Sequence, residues 1–316
     1  MPGTDRALKR ELKIQEWEQR IQLLYQNYPR LAEIDSLYKQ MALEQALIGI
    51  GKNKMDMSAE ELEQAMISLQ EEKKRILDSE GINEKIYDIW WDCSECKDTG
   101  YIKPGQKCSC VLKEEEEKRW KMSGLGPEQQ QQTFDNFCLE YYAEPQRFAT
   151  ILNSCRSFAD DIAKGKKVAN LVLTGPVGTG KTHLSSAIAN YLLQAGKSVA
   201  YLKIGRLLDL LREAKFQANG DNDDYLQYLS KVELLIIDDL GTEVLTEFAG
   251  EQILNVLDER INYQLPWVIN TNFSPTELDA HYELRLVDRI TGTSKFLVFS
   301  GESIRQRRFL ELNVKE

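Results

Sequence analysis

With only two histidines in 316 residues, the chain has little material for histidine-based acid–base or metal chemistry. No apolar run approaches the ~20 residues of a membrane-spanning helix, so no membrane association is expected. The charged N-terminus (Lys9, Arg10, Glu11, Lys13) has no apolar stretch behind it, which argues against a secretory leader and for a cytoplasmic location. In such a compartment six cysteines are not read as a disulfide framework. Basic residues are the minority: 40 Lys and Arg against 50 Asp and Glu give a net charge of −10. General coating of nucleic acid needs a basic face and is excluded on this balance, although a local groove is not. What is present, 42% hydrophobic and 28% charged residues, suits a globular protein of two or three domains.

Residues 5–78 read as helical. Leu8, Leu12, Ile21, Leu24, Tyr25 and Tyr28 recur at helical spacing up to Pro29, and Leu31, Ile34, Leu37, Tyr38 and Met41 form a second stripe that Gly49 and Gly51 should end. Ser58 with Glu61 predicts a capping box for a third helix, carrying Leu62, Met66, Leu69 and Ile76 and closed by Gly81. Residues 123–132, with Gly124, Gly126, Pro127 and a glutamine run, look like a linker. From about residue 134 strands alternate with helices: strands are expected over 168–174, 197–204, 233–238 and 267–270, each followed by a helix. That pattern implies a parallel sheet with crossover helices.

Gly175, Pro176, Val177, Gly178, Thr179, Gly180, Lys181 and Thr182 stand between the first of these strands and its helix in P-loop spacing. The glycines let backbone amides converge on phosphate oxygens, and the following helix adds its positive end. Lys181 would reach the β and γ phosphates and the Thr182 hydroxyl would ligate Mg²⁺. A second, fully apolar strand ends in Asp238 and Asp239, at the sheet edge where ligands bind in open α/β folds. Asp238 is suited to hold Mg²⁺ directly or through water, and Asp239 to orient the attacking water; as Asp rather than Glu it is one methylene short for that task.

Cys93 and Cys96, then Cys108 and Cys110, form two pairs separated by eleven residues that include Gly100, Pro104 and Gly105. Four thiolates close a tetrahedral Zn²⁺ site, which would be structural; an iron–sulfur site uses the same ligands, and free thiols are the remaining alternative. Cys138 and Cys155 read as core residues.

Taken together, 175–182, the acidic segment 237–243, Thr271 and Asn272 after a strand, Asp288 with Arg289, and Ser303 to Arg305 resemble the AAA+ replicative helicase loaders of the DnaC/DnaI type over residues 134–316. The cysteine segment looks like the zinc region of the DnaI branch. The resemblance implies an AAA+ P-loop ATPase core, ATP, Mg²⁺ and Zn²⁺ as cofactors, a DnaB-type helicase and single-stranded DNA as partners, and ATP-dependent self-assembly. It implies sensor 1 at Asn272, an arginine finger at Arg289 acting on a neighbouring subunit's ATP, and sensor 2 at Arg305. It implies a DNA contact in 205–231, where Arg206, Arg212 and Lys215 lie among leucines; an amphipathic crossover helix is the plainer reading. The organisation expected is a helical, helicase-docking region at 1–85, a four-cysteine zinc element at 86–122, a linker at 123–133 and the ATPase domain at 134–316, with the large helical lid of many AAA+ proteins absent or reduced. An IstB-type transposition helper shares the core motifs. A zinc-scaffolded adaptor with a structural nucleotide is the alternative outside enzymes.

Overall fold

The computed structural model describes residues 2–48, 57–216 and 228–307. The chain divides into two compact units, residues 1–112 and 113–316.

In the first unit, helix α1 (Pro2–Asn27) is followed by α2 (Pro29–Ile48), whose first residue is the proline that interrupts the pattern. A proline tolerates that place because the first turn's N–H has no partner to lose. Ser58 caps α3 (Ala59–Ser79) in the expected box: the Glu61 N–H donates to Ser58 Oγ at 3.2 Å and the Ser58 N–H to the Glu61 carboxylate at 2.8 Å. The stop expected at Gly49 and Gly51 lies outside the described residues. Ile21, Leu24, Leu31 and Leu77 make the core, with Trp17, Tyr25 and Ile86 packed against it.

Leu8 and Leu12 depart from the expected stripe, being 56% and 49% exposed. Their half of α1 instead turns cations toward the cysteine segment. Arg6 donates to Cys110 Sγ (3.4 Å), Arg10 to the Lys97 carbonyl (3.3 Å) and Lys13 to Asp98 (2.9 Å), spaced so that all three share one helix face. Farther along, Trp17 donates to the Tyr87 carbonyl and Arg20 to those of Ile86 and Asp88. Segments expected as separate on either side of residue 85 therefore share hydrogen bonds along α1.

After a hairpin of β1 (Tyr101–Lys103) and β2 (Gln106–Lys107) in the first unit, the strands of the second are β3 (Asn170–Thr174), β4 (Val199–Lys203), β5 (Leu234–Leu240), β6 (Trp267–Thr271) and β7 (Ser294–Val298). They form one five-stranded sheet in the order β4-β5-β6-β3-β7, all neighbours parallel. Every residue of β3 and β6 is buried, as helices on both faces require of apolar strands. After α4 (Ser109–Met122) and the short α5 (Pro127–Gln130), helices α6 (Pro145–Ala163) and α7 (Lys181–Gln194) pack together on one face, burying Phe148, Ile151, Cys155 and Phe158 against Leu184, Ile188 and Leu192. The opposite face is covered by α8 (Ile204–Phe216) and the helices Glu247–Asn262, Pro275–His281 and Leu284–Thr293.

Residues 123–133 correct the expected linker. Tyr201 N–H donates to the Ser123 carbonyl (2.6 Å), Leu125 is buried, and the Asn190 amide donates to the carbonyls of Gln129 and Gln132. The turn-forming residues that suggested an unattached connector are fixed by partners distant in sequence. The edge strand β7 and the helix before it were not anticipated, because only one residue of β7 is buried and its pattern is weak. Among the described residues, only a short helical turn at 304–307 follows β7.

Arg260 is fully buried and donates to the carbonyls of Leu229, Val232 and Pro266. Burial pushes its guanidinium down to about 9, although nearby Glu259 opposes the shift. In α8, Leu207, Leu208 and Leu210 are buried, while exposed Arg206 and Arg212 pair with Glu213 and Asp209. Residues 217–227 of the expected DNA contact lie outside the described residues. Among the described residues no helix is long and apolar enough to cross a membrane.

Candidate functional site

The turn after β3 and the ends of β5 and β6 meet in a cleft of about 780 Å³. Parallel strands bring their C-terminal ends to one edge, so β3, β5 and β6 deliver Lys181, Asp238 and Asn272 to the same place. Helix α7 begins at Lys181 behind Gly180, which holds a positive φ of 98° and supplies no side-chain cap. The first-turn N–H groups therefore face the cleft without a side chain competing for them. Gly178 is required by close approach: a Cβ there would lie 2.1 Å from Ser303 Oγ, and its carbonyl accepts the Ile304 N–H at 2.9 Å. The segment carrying Arg305 is thus laid against the phosphate turn, and Arg305 lines the cleft.

Lys181 is 7% exposed, and its ammonium donates to the carbonyls of Gly175 (2.6 Å) and Pro176 (2.7 Å) and to Asn272 Oδ1 (2.9 Å). Burial lowers its pKa to about 8, with Asp238 and Asp239 pulling the other way. Asp238 is 2% exposed and accepts from the Tyr201 hydroxyl (2.8 Å) and the Asn270 amide (2.7 Å). Burial and the neighbouring carboxylate push the Tyr201 phenol well above its usual range, which keeps it a donor. At Asp239 the β5–β6 register shifts and φ is +60°, a conformation Asp tolerates better than most residues. The irregularity turns Asp239 out of the ladder into the cleft, where Lys203 lies 3.4 Å from its carboxylate.

Lys181, Thr182, Asp238, Asp239, Asn272 and Arg305 are brought together; Arg289 is not. It sits in a separate surface recess, donating to Asp258 at 2.5 Å, with Asp288 at 3.3 Å. Sequence reasoning missed Tyr201, Asn270 and Ser185, which look like core positions of strands and a helix. It also missed the cleft wall of Phe137, Cys138 and Tyr142, so Cys138 is a lining residue while Cys155 is core as expected. An asparagine inside the apolar β6 was the available signal for Asn270.

In the first unit the Sγ atoms of Cys93, Cys96, Cys108 and Cys110 all lie within 4.8 Å of one another, with Cys93–Cys108 and Cys96–Cys110 at 3.6 Å. A ZnS₄ tetrahedron with bonds of about 2.3 Å has edges of about 3.8 Å, so the donor set fits zinc in number, type and spacing. The hairpin β1 (Tyr101–Lys103) and β2 (Gln106–Lys107) returns the chain from one pair to the other. The Asp98 carboxylate fixes the first pair by accepting the N–H groups of Cys93 (2.8 Å) and Asp92 (3.0 Å). Burial raises the Asp98 pKa, but Lys13 and those N–H groups outweigh it and hold the group below its usual range. The Cys96 N–H, followed by that of Glu95, brings the Cys93 thiol down to about 7; at Cys108 the Cys110 N–H acts the same way, but burial and the Glu95 carboxylate outweigh it and push that thiol up to about 12, and burial also raises Cys110. Gly100 N–H and Arg6 donate to Cys96 and Cys110 sulfurs at 3.4 Å, the outer contacts a charged thiolate cluster needs.

A family model described as IstB-like ATP binding protein matches residues 114–311. The replicative helicase loader DnaC of Escherichia coli (strain K12) is 29% identical over 186 residues, 58% of this chain and 74% of that protein. Its namesake from Buchnera aphidicola subsp. Baizongia pistaciae (strain Bp) is 30% identical over 172 residues, 53% of this chain and 68% of that one. Among solved structures, the crystal structure of DnaI is 25% identical, covering 57% of this chain and 94% of that chain at a TM-score of 0.45. The DnaC helicase loader is 22% identical, covering 55% and 100% at a TM-score of 0.47.

Proposed function

Because the chain belongs to the family of IstB-like ATP-binding proteins, with an AAA+ core, we propose that it hydrolyses ATP to load a DnaB-type replicative helicase onto single-stranded DNA. The observation that carries the proposal is the convergence of Lys181, Asp238, Asp239, Asn272 and Arg305 on one cleft, in a chain 30% identical over 172 residues to a replicative helicase loader. On ATP binding the Lys181 ammonium exchanges its carbonyl partners for the β and γ phosphates, a move between neighbouring acceptors. Thr182 and Asp238 would hold Mg²⁺, which when bound would neutralise charge on the phosphates. Asp239, turned into the cleft by its left-handed backbone, orients the attacking water; Asn272, within 2.9 Å of Lys181, aligns it against the γ-phosphate. Arg305 contacts ATP in its own subunit. Residues 1–85 and the zinc element at 86–122 dock the helicase, and the segment 205–231 contacts DNA phosphates. The second reading, an IstB-type transposition helper, is compatible with the same family match; the two readings differ in whether the chain retains a helicase.

Arg289 acts in trans, across an ATP-dependent assembly of identical subunits. Its surface recess supports this: the ion pairs to Asp258 and Asp288 are solvent-exposed, so water screens them and they are readily exchanged for a neighbour's phosphate. Mixing Arg289→Ala with Lys181→Ala tests it by ATP turnover. Each variant alone should be inactive, and the mixture should recover turnover at interfaces that combine an intact Lys181 site with an intact Arg289. Co-assembly with no recovery at any ratio would remove the trans role.

A further inference from the structure

Beneath the cleft lies a polar cluster whose protons can be counted. The Tyr201 hydroxyl donates to Asp238 Oδ2 (2.8 Å), and the two N–H groups of the Asn270 amide donate to Asp238 Oδ1 and Ser185 Oγ (2.7 Å each). The Asp239 backbone N–H adds another donor to Oδ1 at 3.1 Å. Since Ser185 Oγ already accepts from Asn270, its own proton is left for the Thr182 carbonyl or the Tyr201 oxygen, each at 3.1 Å. All four side chains are at most 2% exposed, so water does not compete for these bonds.

The cluster joins four elements, β4, β5, β6 and α7, and connects the Asp238 carboxylate to the backbone of Thr182. We propose that Tyr201 is a positioning residue: with Asn270 it fixes both Asp238 oxygens relative to Thr182, so that the divalent cation of the nucleotide meets a preset pair of ligands. The inference rests on the nucleotide-site reading above and deepens it. An unpinned carboxylate would have to lose rotamer freedom when the cation arrives, and a phenol donating from the strand next to β5 removes that cost beforehand. A purely structural role for Tyr201, satisfaction of a buried hydroxyl, would affect fold stability without altering magnesium dependence.

The test uses the full chain carrying Tyr201→Phe, which keeps the ring and removes the hydroxyl. Magnesium is titrated against a fluorescent non-hydrolysable ATP analogue, with a parallel titration of the analogue in EDTA. Affinity in EDTA should stay within about twofold of the parent while the magnesium midpoint rises about tenfold, the effect expected from losing a hydrogen bond to a charged group. Turnover should fall in kcat with KM nearly kept. Ser185→Ala, which leaves the Tyr201–Asp238 bond in place, should raise the midpoint by less. A parental midpoint in a Tyr201→Phe protein that melts at the parental temperature would overturn the proposal. Should that variant fail to fold, an unshifted midpoint in a folded Asn270→Ala, which removes the side-chain donor to the other Asp238 oxygen, would do the same. A parent whose nucleotide binding ignores magnesium altogether would instead remove the nucleotide-site reading on which the proposal stands.

Discussion

Lys181→Ala is expected to weaken ATP binding by two orders of magnitude or more and to abolish turnover, while leaving the protein folded. The ammonium makes three hydrogen bonds, to the carbonyls of Gly175 and Pro176 in the phosphate turn and to Asn272 just after β6, and none to the apolar core. Charge-assisted bonds to phosphate are worth about 1.5–3 kcal/mol apiece, so losing two of them costs roughly a hundredfold or more in affinity. The fold loses less. Removing a buried cation also removes its desolvation cost, the effect that lowers its pKa to about 8. Titration with a fluorescent ATP analogue beside a thermal melt separates the two quantities. Parental affinity in the variant would remove Lys181 from the phosphate site.

Cys93→Ser should give the second large effect: zinc content falling from about one equivalent per chain to near zero, since a hydroxyl is a poor substitute for a thiolate. The hairpin at 101–107 is exposed at every position, so a bound metal would supply much of the order of this element. Nucleotide affinity should survive, because the P-loop cleft is built wholly from residues after 125. Retention of a DnaB-type helicase should be lost with the zinc. Metal content, nucleotide affinity and helicase pull-down on the same sample decide the matter. Zinc lost with the helicase still held would confine the metal to local folding and move docking to the helices before residue 80. Iron with visible absorbance in place of zinc would overturn the metal assignment.

The parts of the site that were legible in the sequence are those encoded locally. The turn at 175–182 and the acidic pair at the end of β5 carry their chemistry in consecutive residues, flanked by strand and helix signals strong enough to orient them. Capping at Ser58 was readable for the same reason: its box spans four residues. Partnerships across the fold were not readable. Tyr201 and Asn270 meet Asp238 from positions 37 and 32 residues away, so a tyrosine in an apolar strand gave no hint that its hydroxyl ends on a carboxylate. Residues 123–133 looked like a connector because glycine, proline and glutamine carry no apolar period, whereas Asn190, some 60 residues on, anchors them. The exposure of Leu8 and Leu12 had a similar origin: periodicity describes which residues share a helix face, but the cations at Arg6, Arg10 and Lys13 decided what that end of α1 packs on.

The most direct test of the loader reading is delivery of a DnaB-type hexamer onto circular single-stranded DNA, which has no end to thread. Helicase bound to the circle after gel filtration is measured with the chain and ATP, with the chain alone, with Lys181→Ala and ATP, and with no chain. The account predicts stable helicase on the circle only with the parental chain and ATP. Equal helicase occupancy with and without the chain would contradict it.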